Sequence, residues 1–283
     1  MTNSERQKIK DYAKYWRNLP IEIKPTPSVL RLWEPKIREL SGKNKHLKAL
    51  ILGATPEIRD LLAKYKINTT CLDINPLMIK AMSLLTKRKN PKEKIVQGSW
   101  LKMPFKANIF DLIVSDCPQD NLVYKDFLVM LKNAVRVLRS GGYWFWGTTH
   151  FKGFQAGINL KQLIKIYCAD PKLFNNRSWW FYYLLKASCH KQFYNPKTKI
   201  LDWIKFDQAL MQMYKKREIT KQEFNHLKVS TEKLGQSLAV RVNWLTIEDF
   251  LKLLIKHHFH VIAYREDDVL PAGSFRQGWI IKK

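Results

Sequence analysis

The chain opens on an amphipathic pattern: Ile9, Tyr12, Ala13 and Trp16 share one face between residues 5 and 17, and the spacing predicts a short helix. Prolines at 20, 25, 27 and 35 follow, so the stretch up to residue 47 reads as a lead-in that no long helix crosses. From residue 48 the pattern changes to apolar runs of strand length at 48 to 53, 69 to 74, 94 to 98, 110 to 115 and 142 to 148. Helical periodicity at 56 to 66, 76 to 88 and 122 to 139 separates most of them. Strands and helices in alternation predict a mainly parallel sheet covered on both faces.

Regularity stops after "GGYWFWGTTH". Residues 151 to 240 show no strand pattern, only the helical stretches "LKQLIKIYCA", "SWWFYYLLKASCHKQF", "IKFDQALMQMYKKR" and "TKQEFNHLKVSTEKL". Thr220 and Glu223 form a capping box at the start of the last one. The sheet pattern resumes with the amphipathic "WLTIEDFLKLLIKHHF", opened by Thr246. "HVIAYRE" and "RQGWIIKK" then read as an antiparallel hairpin around a Pro-Ala-Gly-Ser turn. The expected organisation is a helix and lead-in at 1–47, a core at 48–150 and 241–283, and a helical insertion or cap at 151–240.

Composition adjusts this picture in three places. An apolar fraction of 46% supports a real core, no run of 18 apolar residues exists, and the N-terminal stretch is too charged for a signal peptide, so a cytoplasmic globular protein is expected. Cys71, Cys117, Cys168 and Cys189 lack C-x-x-C spacing, and His257, His258 and His260 have no acid or Cys at ligand spacing, so neither a metal site nor a disulfide framework is indicated. A net charge of +26 admits an RNA partner, but the basic residues are spread through most of the chain.

The candidate chemistry begins in "ALILGATPEIRDLLAKYKINTTCLDINPLMIKAM", residues 49 to 82. Gly53 ends the first strand, where bare backbone turns and leaves room for a ligand. Thr55, Pro56 and Glu57 supply a hydroxyl N-cap, a proline at the first helical position and an acid near the positive end of the helix dipole. Asp73 ends the next strand, where a carboxylate can accept hydrogen bonds from both hydroxyls of a ribose. A single glycine disfavours a pyrophosphate cradled on backbone. A dinucleotide-binding oxidoreductase and a non-catalytic binding module nevertheless stay as alternatives.

"LILGATPEIRDLL", "CLDINPLMIKAM", "VQGSWLKMPFKANIFDLIVSD" and "LKNAVRVLRSGGYWFW" stand in the order and spacing of the class I S-adenosylmethionine-dependent methyltransferases, which the chain resembles over about 48–149 and 243–283. The nearest pattern is a branch with a Leu-Gly-x-Thr-Pro-Glu loop. The resemblance implies an α/β fold, a Rossmann-like doubly wound seven-stranded sheet with an antiparallel last strand, here carrying a helical insertion. It implies S-adenosylmethionine as cofactor, with Gly53, Ala54 and Thr55 beside its methionine part, Asp73 on its ribose, and Ile74 and Met78 near adenine. Ser99 stands where an acid often binds the adenine amino group, Trp100 packs against the ring, and Asp116 faces the methyl group.

"SDCPQ" partly matches the Asn/Asp-Pro-Pro-Tyr motif of methyltransferases acting on amino nitrogens. Cys117 replaces its first proline and Gln119 its aromatic ring, so half of that mechanism is missing. Asp116, Asp120 and His150 are candidate bases. Tyr12, Tyr15 and Trp16 form a lid by analogy with the family, and "SWWFYYLL" lines a pocket or fills a core. The expected reaction is an SN2-like methyl transfer to a small or medium-sized organic acceptor between the strand ends and the insertion. A structured RNA is the second acceptor class, and no membrane partner is expected.

Overall fold

The apolar runs become the centre of one seven-stranded sheet. The computed structural model describes residues 2–18, 24–149, 160–169, 193–195, 197–225, 241–243, 245–266 and 276–283. Its strands are β1 (Lys48–Leu52), β2 (Asn68–Asp73), β3 (Glu93–Gln97), β4 (Phe110–Asp116), β5 (Leu138–Thr149), β6 (Tyr194–Asn195), β7 (Ile200–Asp202), β8 (Arg241–Asn243), β9 (His260–Glu266) and β10 (Arg276–Lys282). The large sheet runs β3-β2-β1-β4-β5-β10-β9. β1 to β5 are parallel, and β10 inserts antiparallel between β5 and β9. The strand order reverses beside β1, so the carboxyl ends of β1, β2 and β4 border a crevice where this class of sheet binds ligands.

Burial follows from position in the sheet. β1 and β4 are central and almost wholly buried, which is why "KALIL" and "FDLIVSD" read as continuous apolar runs. β3 lies at the edge and is mostly exposed. It is fastened by Arg59 of α3 (Pro56–Lys64), which donates to both Glu93 oxygens at 2.9 and 2.5 Å and to the Ser83 hydroxyl of α4 (Pro76–Ser83) at 3.0 Å. That bidentate ion pair, buried at Arg59 and partly buried at Glu93, ties two helices to the edge strand.

The lead-in departs from expectation. Residues Pro27–Lys43 form one helix, α2, in spite of Pro35 in its interior. Thr26 caps it by accepting the Val29 amide at 3.3 Å, and Pro27 stands where a missing N–H costs nothing. Val29, Trp33 and Ile37 recur every fourth residue and are buried, Trp33 stacking on Phe145 with ring centroids 6.3 Å apart. An interior proline costs roughly 3 kcal/mol, and full burial of two large side chains at roughly 1.5–3 kcal/mol each offsets it. α1 (Asn3–Asn18) lays Ile9 and Ala13 against Ile79, Ala81 and Met82 of α4, as its amphipathic face predicted.

The chain separates into two compact units. One comprises Met1–Pro118, Lys125–Thr149 and Glu248–Lys283, the other Gln119–Tyr124 and His150–Ile247. The second unit contains α6 (Leu160–Ala169), a helix at Trp203–Lys215 and the antiparallel sheet β6-β7-β8. β6 and β7 correct the expectation of a strandless insertion at 151–240, and β8 lies just beyond it; all three are two or three residues long, too short for alternation to show. Asn195 supports the β6-β7 turn by accepting the Lys197 and Thr198 amides at 2.9 and 3.2 Å. The Thr220–Glu223 box forms with both reciprocal hydrogen bonds, 2.6 and 3.2 Å. All of "SWWFYYLL", and the Pro-Ala-Gly-Ser turn, lie outside the described residues. Among the described residues no helix is long and apolar enough to cross a membrane.

Candidate functional site

The turn after β1 is built around Gly53, whose φ of +108° lies where side chains are strained. Its N–H donates to the Leu72 carbonyl at 2.9 Å, which ties the turn to the neighbouring strand. A Cβ placed on Gly53 would meet only the Trp100 ring at 3.8 Å and the Thr55 hydroxyl at 4.0 Å, so the backbone here is open on one side. Thr55 stands at the N-cap of α3, but its hydroxyl makes no hydrogen bond to the helix amides, contrary to the capping role expected for it. Its φ of −51° and ψ of 116° belong to no regular cap geometry. Ala54 is buried under α1 with Ile9, Ala13 and Met82.

Asp73 ends β2 half-buried, and its Oδ1 accepts the Asn75 amide at 2.8 Å. Burial raises its carboxyl above the ordinary aspartate range, opposed by the Asn75 and Ile74 amides. Asn75 caps α4 by accepting the Leu77 and Met78 amides at 3.0 and 3.1 Å, so Asp73 is not needed as the helix cap. Ile74 is 67% exposed, and Met78 packs partly buried against the cluster under α1. Ser99 accepts the Leu101 amide at 3.1 Å and caps a 3₁₀ turn at Trp100–Lys102. The Trp100 indole donates to the Leu72 carbonyl at 2.8 Å, which brings its ring beside Gly53. This loop is clamped from α5 (Tyr124–Val137), where Asn133 bonds the Leu101 carbonyl and Arg136 the Met103 and Phe105 carbonyls.

Asp116 ends β4 against Gly147, its register partner on β5. A Cβ on Gly147 would collide with the Asp116 carboxylate and come within 3.4 Å of the Trp33 ring. Cys117 follows with a φ of 45°, a left-handed backbone in a non-glycine residue, held by its N–H donating to the Gly147 carbonyl at 2.7 Å. Glu57 faces this region from α3. The Trp16 indole of α1 donates to its Oε1 at 3.2 Å, while its Oε2 is buried and has no hydrogen-bond partner. Burial raises the Glu57 carboxyl, opposed by its own amide, Trp16 and Lys24, and Asp116 pushes it further up.

The carboxyl ends of β1, β2 and β4 therefore carry Gly53, Asp73 and Asp116, with Trp100 beside the first. Trp16 reaches Glu57 from α1, Tyr12 packs on the same helix-covered cluster, and Tyr15 is partly buried. His150 lies outside the described residues. The sequence marks Glu57 by its place near a helix dipole and at the end of the Leu-Gly-x-Thr-Pro-Glu pattern, and assigns Gly147 no role. A glycine inside a strand as apolar as "YWFWG" is the signal that marks a close approach there.

Residues 52–146 match the family described as a methyltransferase domain. That match, over the stretch from the end of β1 into β5, supports a class I S-adenosylmethionine-dependent methyltransferase. No curated protein is similar enough to this chain to count as a match. Among solved structures, the 1,6-didemethyltoxoflavin-N1-methyltransferase of Burkholderia thailandensis aligns with 98% of this chain and 84% of its own at 10% identity and a TM-score of 0.50. A Rhodobacter sphaeroides protein described as a Zn-dependent alcohol dehydrogenase aligns over 100% of both chains at 11% identity and a TM-score of 0.56. A Methanosarcina mazei S-adenosylmethionine-dependent methyltransferase aligns over 85% of this chain and 93% of its own, at 14% identity and a TM-score of 0.48. At these identities the first two likenesses speak for the fold alone.

The cofactor that the methyltransferase-domain match supports is S-adenosylmethionine, and the crevice fits its chemistry. It has no phosphate, so it does not call for the glycine-rich loop on which a pyrophosphate is cradled. It has a ribose for which Asp73 offers a partly buried carboxylate, and a sulfonium cation that suits a crevice edged by Glu57 and Asp116.

Proposed function

We propose that this protein transfers a methyl group from S-adenosylmethionine to a small or medium-sized organic acceptor. The observation that carries the reading is the open Gly53 turn with Asp73 and Asp116 on neighbouring strand ends, inside a segment that matches a methyltransferase domain. When bound, the cofactor supplies a methyl group on a sulfonium centre whose leaving group is a neutral thioether. In this reading Gly53 leaves room for the methionine part, Asp73 accepts the ribose hydroxyls, and Ser99 and Trp100 flank the adenine with Ile74 and Met78. Asp116, kept in place against Gly147, is the candidate base for the acceptor's proton, with His150 as the second candidate. Tyr12, Tyr15 and Trp16 close the cofactor from the α1 side. The protein's own contribution is alignment and exclusion of water, which is most of what displacement at a sulfonium methyl needs.

A small acceptor is favoured over RNA because the basic residues are spread along most of the sequence instead of clustering in one segment. The net charge of +26 keeps a structured RNA as the second reading. A cytoplasmic location belongs to the same proposal. The test is to incubate the protein with S-adenosylmethionine labelled in its methyl group and a cell extract, then separate RNA from low-mass compounds. Label in the low-mass fraction is expected. Label confined to RNA would favour the second reading, and bound cofactor with label in neither fraction would favour a non-catalytic binding protein.

A further inference from the structure

Basic residues from three separate loops meet at the amino-terminal end of the large sheet. β1, β2 and β3 are parallel, so their starts share one end, with Lys48 in register with Asn68 and Thr69 with Glu93. The loops leading into them are bonded to one another. The Asn68 amide donates to the Leu47 carbonyl at 3.1 Å, the Thr69 amide to the Lys92 carbonyl at 3.3 Å, and the Asn90 side chain to the Ile67 carbonyl at 2.9 Å. Asp60 fixes the loop before β3 by accepting the Lys87 and Arg88 amides, each at 2.8 Å. This corner exposes Lys48, Lys66, Lys87, Arg88, Lys89 and Lys92, whose side chains make no ion pair or hydrogen bond among the described residues. The nearby acids are already taken: Glu34 by Lys64 and Tyr65, Glu39 by Lys36 and Lys43, Glu93 by Arg59, and Asp60 by the two amides. Lys66 has a φ of 52°, just past the end of α3, where its amide bonds the Ala63 carbonyl and the Ile67 amide bonds the Leu62 carbonyl. Glycine fills that position at least cost, so the lysine keeps a cation on the corner at a strained backbone position.

We infer that this corner docks the phosphate backbone of a double-stranded RNA. Bonded loops hold six cations outward with no nearby acid left to neutralise them, and a phosphate chain that meets them releases its own counterions. No Phe, Tyr or Trp is exposed there among the described residues, so unpaired bases have no platform to stack on. The cations stand on loops and a strand start, not on a helix or ribbon that could enter a DNA major groove, whereas an A-form duplex is recognised through its phosphates and shape. Leu84 and Ile95 are the large apolar side chains exposed nearby, too few to seat the corner in a bilayer. The crevice lies at the other end of the same strands, about 17 Å away along a strand the length of β1. An RNA held here is therefore a docking partner and not the methyl acceptor, and its binding does not depend on the cofactor.

The test is fluorescence anisotropy of a labelled RNA duplex of about 20 base pairs and arbitrary sequence, titrated with the full chain between about 50 and 200 mM salt. With four or five of the cations on phosphates, affinity is expected to fall with a log–log slope of about −4, a loss of more than about 100-fold over that range. Lys87→Glu, Lys89→Glu and Lys92→Glu combined are expected to weaken the duplex by about tenfold or more and to leave S-adenosylhomocysteine binding unchanged. The same charge change elsewhere in this unit, Lys125→Glu, Lys132→Glu and Lys252→Glu, also at exposed positions, is expected to cost less than about threefold, because salt screens distant charges. Lys66→Gly removes a cation and relieves the backbone, so it should melt no lower than the wild type yet hold the duplex about threefold more weakly. Equal losses in the two triple variants, no retention of the duplex at the lowest salt, or tighter retention on vesicles of equal phosphatidylcholine and phosphatidylserine or on a DNA duplex of the same sequence overturns the inference. Displacement of S-adenosylhomocysteine by the RNA also overturns it, by placing the RNA in the crevice. A chain that binds the duplex as described but not S-adenosylhomocysteine supports the inference and strikes only at the methyltransferase reading.

Discussion

Asp73 accepts the Asn75 amide and, in the proposed function, the ribose hydroxyls, so two substitutions separate its duties. Asp73→Asn keeps an oxygen for the Asn75 amide and removes the charge; Asp73→Ala removes both. Hydrogen bonds to charged groups contribute roughly 1.5–3 kcal/mol, so calorimetry should show S-adenosylhomocysteine binding about 10- to 100-fold weaker in Asp73→Ala. The pH dependence of the fold has a definite sign. Glu57 and Asp73 are both raised by burial, so each favours the folded state at low pH and withdraws that support as pH rises through its folded value. Cofactor-free Glu57→Gln should therefore melt above the wild type at neutral pH, and the gap should close below about pH 4, where free glutamate protonates. Gly147→Ala tests the packing behind Asp116, because the added methyl meets the carboxylate and the Trp33 ring. A loss of about 1–3 kcal/mol in denaturant unfolding is expected for such overpacking. At this scale Asp73 and Gly53 were legible because strand ends and lone glycines leave a mark in sequence. The Thr55 cap was misread, since its residue type permits a bond that its backbone angles do not make.

The helix α2 shows where element reading succeeds and fails. Four prolines between residues 20 and 35 argued against any long helix, and three of them do precede it or open it. Pro35 is the exception, because Val29, Trp33 and Ile37 gain more from burial against the sheet than one lost backbone bond costs. Pro35→Ala restores that bond to the carbonyl four residues earlier and should raise unfolding stability by about 1–3 kcal/mol. Trp33→Ala should lower it by about 3–5 kcal/mol. The strands of the large sheet were legible within a residue or two at most ends, since central parallel strands are buried on both faces and cannot hide their composition. β6, β7 and β8 were not legible, because their pairing is set by turns and by partners about 40 residues away, not by alternation along each strand.

For the molecule as a whole, the fold was readable from the alternation of strands and helices and the cofactor from the family resemblance of the motifs at the strand ends, while the acceptor was not. An acceptor is chosen by the surface around the methyl group, and neither residue spacing nor charge total fixes that surface. The net charge of +26 gives a check on the competing RNA reading. An enzyme that grips RNA through phosphates loses affinity steeply as salt rises, whereas for a small acceptor RNA retention should be weak and gone by about 200 mM salt. The central claim is that one Gly53 turn and one Asp73 carboxylate suffice to hold the cofactor. Calorimetric titration of the full chain with S-adenosylmethionine and S-adenosylhomocysteine tests it most directly: saturable one-site binding of both, with a raised melting temperature, is the result the account predicts. No heat and no thermal stabilisation from either ligand, with the protein folded, would contradict it.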